Sequence, residues 1–263
     1  MNNDEFLTTL HAALSQQVQV ESLEGTFNVV LGQGPMARRA NLDPAPLFEV
    51  LGDDPDSQRR QITGYADGVY HALLEPKRSP GPEMSFVEAA SGLLPTIAAP
   101  EFALGVEAVA QETPWISPFA EGLNHYYLMH LNRGIRVLSA EQAQRWGVTA
   151  DRITAAARSL LFHRTRDVPR KPFGDSSHVH RLHKGDGHDA ARCQVIADVF
   201  YTEISSSFRF ALPDADHLLF VYGDSPEELE ALRQAIDEVY QESKAPLTKS
   251  IYHFDGSKPR PVT

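Results

Sequence analysis

Apolar positions recur at helical spacing over residues 4–19, where Phe6, Leu7, Leu10, Ala13, Leu14 and Val18 form one stripe. The pattern then changes period. Thr26 to Leu31 (TFNVVL) predicts a strand, Gly32-Gln33-Gly34-Pro35 is turn chemistry, and Met36 to Leu42 pairs back as a hairpin. Asp43-Pro44 predicts a short helix through Leu51, with Asp as N-cap and Pro in the first turn. After a break at DDPDS, Ile62, Tyr65, Ala66, Val69, Tyr70, Leu73 and Leu74 mark a longer helix. The stretch EPKRSPGPE (75–83) predicts a linker.

A similar order returns twice. Leu123 to Leu131 predicts a strand, Asn132-Arg133-Gly134 a turn, and Ile135 to Leu138 a second strand. Ser139 with Gln142 predicts a capped helix that Gly147 stops, and Thr149 caps another with Ile153, Ala156, Leu160 and Leu161 inside. In the third round, Phe208 to Leu212 and His217 to Tyr222 are strands around a Pro213–Asp216 turn, where Asp214 and Asp216 supply turn hydrogen bonds. Ser225, Pro226 and Glu228 then give a cap, a first-turn proline and a capping-box acid. They open a helix carrying Leu229, Leu232, Ala235, Ile236, Val239 and Tyr240.

Strand–strand–helix units recurring three times predict an α+β fold, with antiparallel hairpins and helices packed on one face. The expected organisation is two lobes. An N-terminal α+β lobe spans 1–76, a Pro-rich linker and the start of the second lobe span 77–100, and a C-terminal α+β lobe spans 101–255. That second lobe closes on a strand near Ile251 to Phe254, before a loose tail at 256–263.

Composition narrows the class. The 263 residues are 42% hydrophobic and 22% charged, as in a globular chain. No apolar run is long enough for a bilayer, the N-terminus has acids where a signal peptide needs bases, and Cys193 alone excludes an internal disulfide framework. A cytoplasmic protein without a membrane partner is expected. The net charge of −11 disfavours nucleic acid, yet residues 151–192 hold nine bases, five acids and five of the 11 histidines.

That stretch holds the candidate chemistry. His178, His180 and His183, with Asp186, His188 or Asp189, have the donor types of a zinc or other divalent-metal site, since alternate residues of an extended chain face one way. Ligands from one segment make a weak cage, so a solvated loop is the favoured reading and no cofactor is expected. Arg164, Arg166, Arg170, Lys171, Arg181, Lys184 and Arg192 would, if convergent, form an anion-binding face. Other patterns fail. The Gly32–Pro35 turn lacks the Gly-Lys-Ser/Thr ending of a phosphate loop, and Ser205-Ser206-Ser207 lacks the flanking glycines of a nucleophile elbow. Cys193 falls in a predicted helix from Asp189 to Ile204, where cysteine is usually a small buried hydrophobe.

The layout of residues 119–161, FAEGLNHYYLMHLNRGIRVLSAEQAQRWGVTADRITAAARSLL, resembles the centre of the YtpQ-like proteins, a bacterial cytosolic family with no established activity. The segment GDGHDAARC is similar to that family's Asp-Gly-x-x-Ala-x-Arg stretch at Asp186, Gly187, Ala190 and Arg192. FALPDADHLLFVYGD is similar to its strand pair at Pro213 and Asp216. The resemblance runs from about residue 4 to 255 and implies fold and compartment but no catalytic residue. The His-rich stretch and long Pro-rich linker depart from it. With no acid–base or nucleophile constellation, the expected function is a non-enzymatic adaptor or regulator contacting an acidic protein partner. The alternative is a metal-dependent hydrolase or phosphate-handling enzyme using 178–189, with Arg181 and Lys184 clamping an anion.

Overall fold

The computed structural model describes all residues except 24, 35–36, 76–83, 121, 133, 201–204, 256–257 and 263. Most of the predicted linker and the end of the predicted 189–204 helix therefore lie outside the described residues. The fold is α+β. It divides into two compact units that interleave along the chain. The first comprises Met1–Gly92, Ala98–Ile116 and Tyr126–Val148; the second comprises Leu93–Ile97, Ser117–His125 and Thr149–Thr263. The sequence predicts consecutive lobes at 1–76 and 101–255 instead. Hydrophobic periodicity marks which residues are buried, but not which core receives them.

In the first unit, α1 (Asn3–Ser15) opens with a full capping box between Asn2 and Glu5 and buries Phe6, Leu10, Ala13 and Leu14. It stops short of residue 19 because Gln19–Leu23 is a strand, β1, antiparallel to β2 (Thr26–Leu31). Val18, the last position of the helical stripe, is buried between the helix end and that strand. β2 pairs with β3 (Arg38–Leu42), and α2 (Ala45–Glu49) and α3 (Pro55–Leu74) follow, the latter capped by Asp54. Phe27, Val29 and Leu42 face Phe6, Leu10, Ile62 and Val69 in one core, so this sheet carries its helices on one face.

The elements that come next are ones the sequence pattern does not mark. After α4 (Phe86–Ala90), β4 (Leu93–Ala98) is buried at every position and so shows no period. α5 (Glu101–Ala110) crosses α3 within the first unit at two glycines. A Cβ on Gly68 would run into the Phe102 carbonyl oxygen, and one on Gly105 into that of Tyr65. β5 (Ser117–Ala120) pairs with the first residues of β6 (Leu123–Leu131), while β7 (Gly134–Val137) pairs with its last. α6 (Ala140–Trp146) is capped by Ser139 and ends at Gly147, whose φ of 61° is left-handed.

The second unit is built around a six-stranded antiparallel sheet. α7 (Ala150–Thr165) precedes β8 (Arg170–Pro172) and β9 (His180–Leu182), and a 3-10 turn at Ala190–Arg192 leads into α8 (Cys193–Val199). β10 (Arg209–Asp214), β11 (His217–Val221), α9 (Pro226–Glu242), β12 (Ile251–Asp255) and β13 (Lys258–Pro261) complete it. The strand order is β13-β12-β10-β11-β9-β8. Alternation divides its residues. Ala211, Leu219, Val221 and Ile251 pack on Leu232 and Ile236 of α9, whereas Phe210, Leu212, Leu218 and Phe220 pack on Val195 and Ile196 of α8. This sheet thus carries helices on both faces.

Two expectations are corrected here. Residues 170–172 and 180–182 are sheet strands and not part of a solvated loop, because Leu182 is buried in the core opposite Leu218. The tail is not loose over Lys258–Pro261, which pairs with β12 from Tyr252 to Asp255. Both edges of the sheet are basic and contain proline, at Pro172 on one side and at Pro259 and Pro261 on the other. Proline lacks the N–H that a further strand needs, so both edges resist pairing with another chain. Among the described residues, no helix is long and apolar enough to cross a membrane.

Candidate functional site

The segment Lys184–Arg192 folds into a knot of buried polar groups within the second unit. Gly185 and Gly187, at φ 69° and 75°, turn the backbone through left-handed conformations that a side chain would strain. The turn lets the amides of Lys184 and Gly185 donate to Asp189 Oδ2, each at 2.8 Å. Arg192, 0% exposed, holds Asp186 with two hydrogen bonds of 2.8 Å and Asp189 Oδ1 with one of 2.6 Å. Gly187 N–H donates to Asp216 at 2.9 Å, and Ala190 N–H to the Ala215 carbonyl at 3.0 Å, which ties the knot to the β10–β11 turn. Thr96 of β4 donates to the Gly187 carbonyl.

The charges follow from these contacts. Burial raises the Asp186 carboxyl, but the bonds and charge of Arg192 outweigh it and hold the group at about 2. Burial pushes Asp189 up, against the Gly185 and Lys184 amides and the Arg192 charge. His217 donates from Nδ1 to Asp214 at 2.8 Å. Burial lowers its proton affinity, but the Asp214 bond and charge raise it further.

The predicted metal set is dispersed by this packing. His178 is exposed, and His180 lies beside Phe220 and Tyr222, with ring centroids 5.7 and 5.2 Å away. His183 stacks on His217 at 5.0 Å and donates to the Asp216 carbonyl at 2.9 Å. His188 is buried and donates to the Pro95 carbonyl at 2.8 Å, while Asp186 is engaged by Arg192. Among the described residues, no group of three or more His, Cys, Asp or Glu side chains is placed to hold a metal ion. The metal alternative is therefore corrected: His180, His183 and His188 serve as backbone donors or stacking rings, and His178 is exposed. Protein purified without a tag or added metal should hold well under one equivalent of zinc by mass spectrometry, with a melting temperature indifferent to a chelator; a stoichiometric metal would reverse this correction.

The predicted anion face is also divided. Arg192 is spent on two carboxylates, and Lys184 lies 3.7 Å from Asp186. Arg166 pairs with Asp167, and Arg164 stands in the last turn of α7. Arg170 bonds the Tyr222 hydroxyl at 2.8 Å and lies 4.6 Å from the Phe200 ring. Only Lys171 and Arg181 are brought together, directly opposite one another across β8 and β9.

A groove of about 630 Å³ opens elsewhere in the same unit. Its apolar lining includes Phe119 of β5, Ala197 of α8 and Phe254 of β12, and its polar lining includes His125, Arg158 and Lys258. Arg158 is tied to Asp198 and donates to the Gln194 carbonyl at 3.2 Å. His125 Nε2 is shut from solvent with no hydrogen-bond partner, and burial pulls the imidazole down to about 4, so the ring is neutral at pH 7. Burial pushes the Cys193 thiol up, so it stays protonated. The groove thus holds neither an activated thiolate nor a histidine oriented by a carboxylate. No local motif announces it, because its lining is drawn from six elements, with four residues from α8 and one or two each from β5, β6, α7, β12 and β13. No family model, curated protein or solved structure matches the chain.

Proposed function

We propose that the protein is a non-enzymatic adaptor or regulator that docks an acidic protein partner on the β8–β9 hairpin. The observation that supports this is the Lys171–Arg181 pair. Like charges directly opposite on neighbouring strands destabilise a sheet, and neither cation forms an ion pair with a described carboxylate. A partner's carboxylates remove that repulsion. The chain's net charge of −11 makes such a basic patch selective, since the rest of the field repels an acidic surface in any other orientation. Pro172 at the edge directs recognition to side chains and away from strand addition. The resemblance to the YtpQ-like proteins bears on compartment alone and would place such a role in the cytoplasm.

Polyglutamate serves as a model acidic chain. It should bind at low salt, and binding should weaken steeply as salt is added. The double substitution Lys171→Glu, Arg181→Glu should reduce affinity at least tenfold with an unchanged circular dichroism spectrum. Equal binding by the double variant, or no binding by the wild type together with elution alone from native extract at low salt, rejects the proposal.

A further inference from the structure

We infer that the groove of the second unit binds a small free monocarboxylic acid with an aromatic or aliphatic body. This does not depend on the partner-docking role, because the β8 hairpin and β13 lie at opposite ends of the six-stranded sheet. Three observations converge. The volume, about 630 Å³, is in the range of small-molecule sites. The apolar lining from Pro118, Phe119, Ala197, Phe254 and Pro259 suits a ring or a short chain. The charged lining is Arg158, Lys258 and Asp198; Asp198 is already matched by Arg158, which leaves the charge of Lys258 for the ligand.

His125 adds a fourth argument. A polar atom closed off from water and without a partner costs roughly 1–3 kcal/mol, and such an atom in a native fold calls for an explanation. Its Nε2 lies in a residue that lines the groove, and the neutral ring supplies either a donor or an acceptor. A bound carboxylate pairs with the Lys258 ammonium, and a turn of the His125 ring out of its closed position lets Nε2 donate to it. The apolar body meanwhile covers Phe119, whose ring meets the His125 ring edge-on at 4.9 Å. The site is one of binding alone: the thiol of Cys193 at its wall stays protonated, and no bond is made or broken.

The experiment is calorimetric titration of the full chain with 4-phenylbutyrate and decanoate, against the matched alcohols 4-phenylbutanol and decanol. Each acid should bind at least tenfold tighter than its alcohol. Lys258→Gln should remove most of that preference, and Ala197→Trp should abolish binding of both; both positions are exposed, so the fold tolerates the changes. Lys171→Glu, Arg181→Glu should leave acid binding unaltered, which separates this site from the docking hairpin. Equal affinity of acid and alcohol, absence of binding by either acid, or insensitivity to both groove substitutions overturns the inference. Tighter binding of a phenylalanine-ended peptide than of 4-phenylbutyrate also overturns it, by assigning the groove to a chain terminus.

Discussion

Arg192→Leu should lower the free energy of unfolding by about 3–5 kcal/mol, the range for removing one partner of a buried ion group. Leucine fills much of the same space but leaves Asp186 and Asp189 facing each other without the guanidinium that joins them. The loss should appear as a lower urea midpoint at constant slope. Adding Asp186→Asn and Asp189→Asn to the same chain should recover most of it, because neutral amides need no counter-charge. The pH dependence gives an independent check. Asp186 is held at about 2 in the fold, below its ordinary 3.8, so it contributes about 2 kcal/mol above the unfolded value. That contribution is lost as pH falls through the folded value, between about pH 4 and 2. Asp189, pushed up, has the opposite sign: it opposes folding at neutral pH, and that opposition fades on acidification. In Arg192→Leu, burial dominates at both carboxylates. The variant should therefore close part of its gap to the wild type as pH falls, and a constant gap would contradict the ionic account.

Much of the fold was legible wherever an element is amphipathic and capped. β2, β6 and α9 lie where the pattern sets them, since alternation or a helical stripe coincides there with turn or cap residues. β4 was not legible, because burial of all six residues erases its period, and β8 and β9 were hidden by their charge and their three-residue length. The interleaving of the units was hidden for another reason: nothing in Leu93 or Ser117 states which core it joins. The candidate chemistry was legible by residue type but not by geometry. His178, His180 and His183 have the donors of a metal site, yet Val179 and Leu182 are the residues that the sheet buries, and the imidazoles go where those anchors leave them. The Asp186, Asp189, Arg192 spacing behind Gly185 and Gly187 was the better signal, since left-handed glycines bring amides onto a carboxylate. The groove had no signal in any one segment.

Gly105→Ala should cost about 3 kcal/mol or more, despite the roughly 1 kcal/mol that alanine gains over glycine in helix propensity. The new methyl meets the Tyr65 carbonyl oxygen and the Val69 amide nitrogen of α3, and backbone in a helix cannot rotate aside as a side chain can. Either α5 moves away from α3, which opens space around Phe102 and Val106, or the α3 hydrogen bonds distort. Gly68→Ala should cost a similar amount, because its methyl meets the Phe102 carbonyl from the other side of the same crossing. Gly64→Ala is the control. Its methyl lies 3.2 Å from the Ala99 side chain, a contact that small adjustment relieves, so its effect should stay within about 1 kcal/mol. The double variant Gly68→Ala, Gly105→Ala should lose less than the sum of the two, since one outward shift of α5 relieves both clashes. Thermal and urea denaturation of the four variants read this directly. Full additivity would mean that the two glycines serve separate contacts, and a near-neutral Gly105→Ala would mean that the helices do not approach as closely as their glycines permit.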